Sequence, residues 1–118
     1  MNVNPTPLAF DPLGLQSHYI QAVASPSAPN AVRPSSGGAR INVRIVVGAG
    51  SAVVSIGWST VDAATAVANS VLPTAGTPQQ CIVMQPGSVE VFTLPDGAYF
   101  SARSASNADV FITAGAGV

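Results

Sequence analysis

The sequence is nearly empty of charge. Only 8% of its 118 residues are Asp, Glu, Lys or Arg, against about 25% in an average domain, and lysine is absent. Monomers usually stay apart in water through mixed surface charge, so we expect much of this surface to lie against other protein. The alternative is a neutral surface solvated by Ser, Thr, Asn and Gln. Four arginines without interleaved aromatics are too few for a nucleic-acid footprint.

Ionisable groups for chemistry are equally scarce. His18 is the only histidine, and no G-x-S-x-G motif or metal-ligand spacing accompanies it. Cys81 is the only cysteine; its apolar surroundings favour a buried side chain over a reactive thiol, and no intrachain disulfide can form. Glu90 and Asp96 resemble the paired carboxylates of a glycosidase site. Asp96, however, follows Pro95 and is explained as a turn residue. We expect no enzyme, no cofactor and no metal site.

Targeting and membrane signals are also missing. The first residues have neither a basic start nor an apolar core, so no signal peptide is expected. The charge-free residues 45–61 are too short and too interrupted by glycine for a membrane helix. Synthesis in the cytoplasm and no membrane partner follow as expectations.

Proline sets the first third of the chain apart. Six prolines within residues 1–38 deny it a long helix or a central strand. Apolar side chains are nevertheless spaced through it, which a disordered tail would have in smaller number. These are Leu8, Phe10, Leu13, Leu15 and Tyr19. We predict an extended arm that packs across its own sheet or reaches a neighbouring subunit, with an early strand near residues 17–23.

From residue 40 onward apolar and polar residues alternate at the spacing of a strand, with Ile41, Val43 and Ile45 directed inward. Strands starting about every ten residues indicate an all-β, antiparallel sandwich of jelly-roll type with about seven strands. They are predicted near residues 17–23, 40–47, 54–58, 81–85, 88–94, 98–104 and 108–113. Gly57 suggests a bulge or a close backbone approach. Residues 59–80 are predicted as loop with short strand pieces, although residues 62–68 could form one helical turn or two. Because Pro, Gly and β-branched residues dominate, no helix longer than two turns is expected. The predicted domains are the arm, residues 1–38, and the sandwich, residues 39–118.

One strand, near residues 88–94, is bounded by two turns with distinct chemistry. Pro86-Gly87 suits a type II turn, and the turn ending at Gly97 suits type I with that glycine left-handed. Val89 and Val91 share one face, while Phe92 and Leu94 share the other with Glu90. Both faces are therefore apolar, which predicts cover on both sides of this strand.

The motifs PGSVEVFTLPDGA and VFITAGAGV, within residues 40–118, resemble small β-rich proteins of tailed bacteriophages, in particular the capsid decoration (cement) proteins. The resemblance implies a structural virion protein on the outer capsid surface that binds the major capsid protein and cements adjoining subunits. The surface composition adds a homo-oligomer, a dimer or trimer. The expected partner-binding residues are the five apolar arm residues and three charged ones, Arg40, Arg44 and Glu90, because arginines concentrate in the first half and carboxylates in the second.

The sequence leaves a second class of function open. Trp58 and Tyr99 could stack on a sugar, which would make the chain a head-fibre or tail-tip module that recognises host glycan. An exposed groove holding both rings would favour that alternative.

Overall fold

The chain folds into two antiparallel sheets that face each other. A computed structural model describes residues 10, 12, 16–34 and 40–115, with only the backbone at residue 40. All seven predicted strands are confirmed, and their bounds lie within two residues of the predicted ones. They are β1 (Ser17–Ala22), β2 (Arg40–Val47), β3 (Val54–Ser59), β4 (Cys81–Met84), β5 (Val89–Pro95), β6 (Tyr99–Ser104) and β7 (Ala108–Gly115).

Strand order differs from sequence order in both sheets. The larger sheet has the order β1-β7-β2-β5 and the smaller β4-β3-β6. Every neighbouring pair is antiparallel. The last strand in sequence, β7, therefore lies between the first two, and β5 forms one edge of the larger sheet.

The core lies between the sheets and is built from the alternate positions of each strand. Ile41, Val43 and Ile45 are 3%, 0% and 0% exposed, so the predicted inward face of β2 is confirmed. From the smaller sheet, Ile56 and Phe100 contribute fully buried side chains to the same cluster. Burial of so many apolar side chains is the main stabilising contribution, since each contributes about 1.5–3 kcal/mol.

The segment that follows β1 joins the larger sheet to the edge of the smaller one. Val32 and Phe100 exchange two backbone hydrogen bonds of 3.0 and 2.7 Å, and the Ser104 amide donates to the Val23 carbonyl at 3.1 Å. Between these bridges lies a single turn of 3-10 helix, Ala28–Asn30. Residues 17–34 of the predicted arm therefore lie against both sheets and cover part of the edge of β6.

A short helix, α1 (Ala63–Asn69), corrects the loop predicted for residues 59–80. Asp62 caps it: one carboxylate oxygen accepts from the amide and the hydroxyl of Thr65, both at 2.7 Å. These hydrogen bonds lower the pKa of the Asp62 carboxyl. The signal that the prediction overlooked is thus an aspartate three residues before a hydrogen-bonding threonine, the position of an N-cap. At seven residues the helix stays within the two turns that the composition allows.

Gly57 allows α1 to lie directly on β3. A Cβ at this position would overlap the carbonyl oxygen of Ala66 and the amide nitrogen of Ser70, and would lie 2.7 Å from the carbonyl carbon of Asn69. The close approach suggested for this glycine is confirmed, and helical backbone is what approaches it.

The two predicted turns at either end of β5 are present. Gly87 and Gly97 have φ angles of +81° and +84°, and the Ser88 amide donates to the Gln85 carbonyl at 3.2 Å. However, β5 is an edge strand that is covered mainly on its inner face. Leu94 is 9% exposed, whereas Val89, on the opposite face, is 49% exposed. Cover on both sides, as predicted for this strand, is therefore not provided by the described part of the chain.

Candidate binding face

The outer face of the larger sheet carries a continuous row of exposed apolar side chains. Cross-strand register places Tyr19 opposite Phe111, Phe111 opposite Val46, and Val46 opposite Val89. The row therefore crosses all four strands. Tyr19, Phe111 and Val89 are 50%, 42% and 49% exposed, and Val46 is half-buried. Exposed large apolar side chains in such an arrangement commonly mark an interaction surface.

Two of these rings are held in place by their neighbours. The Tyr19 and Phe111 rings lie 5.3 Å apart between centroids and are tilted by 40°. The Tyr19 hydroxyl donates to Asp109 Oδ1 at 2.7 Å, and this hydrogen bond raises the pKa of the tyrosine. Because the rings are already ordered, a partner that covers them loses less side-chain entropy on binding.

Polar groups lie on the sheet face on one side of the row. The Ser17 and Thr113 hydroxyls share a hydrogen bond of 2.6 Å, and the Thr93 hydroxyl donates to Asn42 Oδ1 at 2.6 Å. Arg44 is exposed next to Thr113 and Val91 in the register. Among the described residues, no hydrogen bond or ion pair engages its guanidinium.

The predicted arm approaches this same face. Phe10 and Pro12 border a cleft of about 330 Å³ whose remaining walls are Ser17, Arg44 and Thr113. Phe10 is half-buried there and Pro12 is exposed. Phe10 and Pro12 therefore lie beside the polar side of the apolar row.

The structure brings together only some of the predicted partner-binding residues. Tyr19 and Arg44 share the outer face, with Phe10 beside it. Glu90 is exposed on β5 but pairs with Ile45, which places it on the inward side of that edge strand. Leu8, Leu13, Leu15 and the side chain of Arg40 lie outside the described residues.

Sequence reasoning did not name four residues of the face as partner-binding: Val46, Val89, Asp109 and Phe111. It did predict cover for the side of β5 that carries Val89, and a signal was also available for Val46 and Phe111. The available signal was the loss of alternation in Ile45–Val46–Val47 and Val110–Phe111–Ile112, where every residue is apolar. In a sheet with one buried face, such runs place apolar side chains on the outer face as well.

The ionisable side chains considered for chemistry lie apart from one another where the structure describes them. The described part of the chain holds no group of three or more His, Cys, Asp or Glu side chains that could bind a metal ion. His18 is half-buried on the inner side of β1, opposite Ile112. Cys81 is half-buried rather than fully enclosed, with its Sγ 4.0 Å from the Val71 carbonyl oxygen.

The two aromatic residues considered for sugar stacking do not share a face. Trp58 pairs with Phe100, so Tyr99, the next residue along β6, is directed to the opposite side of the smaller sheet. Trp58 packs against the core cluster. Tyr99 lies under Arg33, whose guanidinium carbon is 4.9 Å from the ring centroid.

A second concavity, on the outer side of the smaller sheet, has a volume of about 310 Å³. Ser55 and Arg103 are cross-strand neighbours in its wall, and Arg103 donates to the Ala24 carbonyl at 2.8 Å. Ser55 is 1% exposed, and its Oγ has no hydrogen-bond partner.

Replacing Ser55 with alanine is expected to leave stability unchanged or to raise it by about 1 kcal/mol, because an unsatisfied buried hydroxyl carries a desolvation penalty. Ser59→Ala is the matched control on the same face of the same strand. Ser59 is also buried, but its Oγ accepts from the Val61 amide at 3.0 Å, so its loss should destabilise by about 1 kcal/mol. Urea unfolding of both variants measures the difference. Equal losses would contradict the assignment of Ser55 as unpaired.

Comparison with protein-family models, with curated proteins and with solved structures gives no match to this chain. Within the residues that the structure describes, no helix has the length and apolar character needed to cross a membrane.

Proposed function

We propose that this chain is a structural virion protein that binds the outer surface of a tailed-phage capsid and cements adjoining copies of the major capsid protein. The observation that carries the proposal is the apolar row on a sandwich whose chain has only 8% charged residues. Such a surface gains free energy by contact with protein. The resemblance of residues 86–98 to capsid decoration proteins points to a phage shell as that protein.

The proposed cementing acts through binding alone and involves no catalysed reaction. A protein that contacts two or more capsid subunits binds only the assembled state, so it stabilises that state by mass action. Several contacts on one rigid body also raise the apparent affinity above that of any single contact. The sandwich supplies the rigid body, and the proline-rich segment ahead of β1 supplies reach.

We assign the fold to the jelly-roll type within this proposal. A jelly roll has eight strands in two facing sheets. The bridges of Val23 and Val32 place the segment between β1 and β2 beside β6, where an eighth strand would complete a second four-stranded sheet. That position supports the assignment, because the fold would then consist of two facing four-stranded sheets, as a jelly roll does.

The alternative, a fibre or tail-tip module for host glycan, has less support. Stacking on a sugar ring is strongest where aromatic side chains line one groove. Trp58 and Tyr99 lie on opposite faces of the smaller sheet. Tyr99 is additionally covered by Arg33.

Deleting residues 1–15 is expected to leave a folded sandwich that binds capsids at least about a hundredfold more weakly. Four apolar anchors are lost, and each buried side chain contributes about 1.5–3 kcal/mol. Deletion of residues 1–7 is the matched control, because it retains Leu8, Phe10, Leu13 and Leu15. Cosedimentation with particles that lack the protein measures binding at equal concentrations.

Three results are distinguishable. Weak binding by the longer deletion alone supports an arm that contacts the shell. Equal binding by both deletions and the full chain would assign the arm to packing within its own molecule. Absence of binding by the full chain would overturn the cement proposal.

A further inference from the structure

The two charged residues that flank the apolar row lie on opposite sides of it. Arg44 precedes Val46 by two residues on β2, and Asp109 precedes Phe111 by two residues on β7. Because β2 and β7 are antiparallel with Val46 opposite Phe111, the arginine lies beyond one side of the row and the aspartate beyond the other. Both side chains are exposed.

These charges are too far apart to pair within one molecule. Neighbouring strands are about 4.8 Å apart and alternate residues on a strand about 6.8 Å apart, which separates the two Cα atoms by about 14 Å. The midpoint between them lies on the row, between Val46 and Phe111. The face is therefore self-complementary: its positive and negative groups are placed symmetrically about an apolar centre.

We propose that two copies of this chain pack face to face through the apolar row as a twofold dimer, with each Arg44 paired to Asp109 of the other copy. The twofold axis lies between the two copies, parallel to their sheets and perpendicular to the line from Arg44 to Asp109. Rotation about this axis places Arg44 of each copy over Asp109 of the other. The same rotation places Phe111 on Phe111 and Val46 on Val46 near the axis. Closed pairs with this symmetry are the commonest protein oligomers.

The crossing angle that this axis imposes is one that sheets prefer. The line from Arg44 to Asp109 is inclined by about 20° to the strands, from the spacings above. Rotation about the perpendicular axis then crosses the strands of the two copies at twice that angle. The sign of this angle depends on the side of β2 on which β7 lies. The Gly48 amide donates to the Asp109 carbonyl, so β7 lies on the side to which the amides of Val46 and Gly48 point. For that arrangement the crossing angle is about −40°. Face-to-face sheets pack at about −30°.

The dimer is expected to be reversible. The row and its flanks cover about 20 Å by 20 Å, or roughly 400 Å² per copy, below the about 800 Å² of a standard interface. Association should therefore depend on concentration, with Phe111 at the centre as the most sensitive position. The dimer and the shell would use the same apolar row, so they would compete for it. This inference rests on the geometry of the face and not on the capsid role, so the two proposals can fail separately.

Sedimentation equilibrium of the full chain from micromolar to millimolar concentration tests the proposal. The wild type should fit a monomer–dimer equilibrium. Arg44→Asp and Asp109→Arg should each weaken the dimer at least tenfold, because each places like charges together. The double variant R44D/D109R should restore dimerisation to within about threefold, since it only exchanges the charges.

Three controls separate the dimer from other effects. Asp109→Arg removes the hydrogen bond from Tyr19 as well as the negative charge. Tyr19→Phe removes only that hydrogen bond, so it should weaken the dimer less than Asp109→Arg does. Glu90→Arg changes an exposed charge on the same sheet away from the face and should have no effect. Phe111→Ser should abolish association while the circular-dichroism spectrum stays unchanged.

A monomer at millimolar concentration, a trimer, or failure of the charge exchange to restore the dimer would overturn the proposal. Stronger association after deletion of residues 1–15 would also do so, because it would show that the arm covers the face in the full chain. Capsid binding by Arg44→Asp, measured alongside, tells whether the shell contact survives when the dimer does not.

Discussion

Gly57→Ala is expected to destabilise the protein by about 3 kcal/mol or more. A methyl group at this position overlaps backbone atoms of Ala66 and Ser70, and backbone cannot rotate out of the way as a flexible side chain can. Either α1 lifts from the sheet or β3 moves away from the core. Both displacements expose apolar surface, since Ala66 and Ile56 are fully buried.

Gly50→Ala is the matched control. A Cβ at Gly50 meets its nearest neighbour, the Ala108 Cβ, at 3.7 Å, an ordinary contact distance. Chemical denaturation of Gly50→Ala should show that the free energy of unfolding changes by less than about 1 kcal/mol. The difference in backbone entropy between glycine and alanine sets this scale. Similar losses at both glycines would contradict the packing of α1 on β3.

Val43→Asp is expected to prevent folding. Val43 is 0% exposed and lies between Phe92 and Ala114 in the middle of the larger sheet. An unpaired carboxylate buried there costs several kcal/mol, comparable with the whole stability of a small domain, about 5–15 kcal/mol. The expected result is a chain that lacks the cooperative unfolding transition of the wild type.

Arg44→Ala is the comparison at the next residue, which is exposed on the other face of β2. Its effect on the unfolding free energy should stay within about 0.5 kcal/mol at concentrations where the chain is monomeric. Equal sensitivity at residues 43 and 44 would mean that the buried face of β2 is assigned incorrectly.

Alternation predicted the strands because this fold buries one face of most of them. In β2, Ile41, Val43 and Ile45 are buried, while Asn42 and Arg44 are not, and this periodicity is visible without any tertiary information. The two glycine turns around β5 were predictable for a similar reason, since positive φ at Gly87 and Gly97 is a local requirement.

The helix was harder to predict because it depends on packing against a strand. α1 has seven residues, too few to be stable alone, and it forms where Gly57 on β3 leaves room for its backbone. Asp62 signals where the helix begins, but a cap by itself does not reveal whether a surface is there to receive the helix.

The candidate face was predicted in part. Tyr19 and Arg44 were expected to meet a partner, and they do share one exposed face, although Phe111, Val46 and Val89 were not identified. Val46 and Phe111 each lie between two apolar residues, which sequence reasoning interprets as burial on both faces of a strand. Only the strand order shows that these residues lie in one row.

The central position of β7 constrains how the chain acquires its structure. Tyr19 and Asp109, hydrogen-bonded side by side, are 90 residues apart in sequence. Until β7 is in place, β1 and β2 have no neighbour in common, and the larger sheet exists only as the β2–β5 pair with an open edge. Before contacts of such long range can form, the chain must lose the conformational entropy of closing large loops. Folding should therefore be slow for a chain of this size. Meanwhile the unpaired edge of β2 can associate with other unfinished chains, which makes the folding step, more than the finished sandwich, the stage that is vulnerable to aggregation.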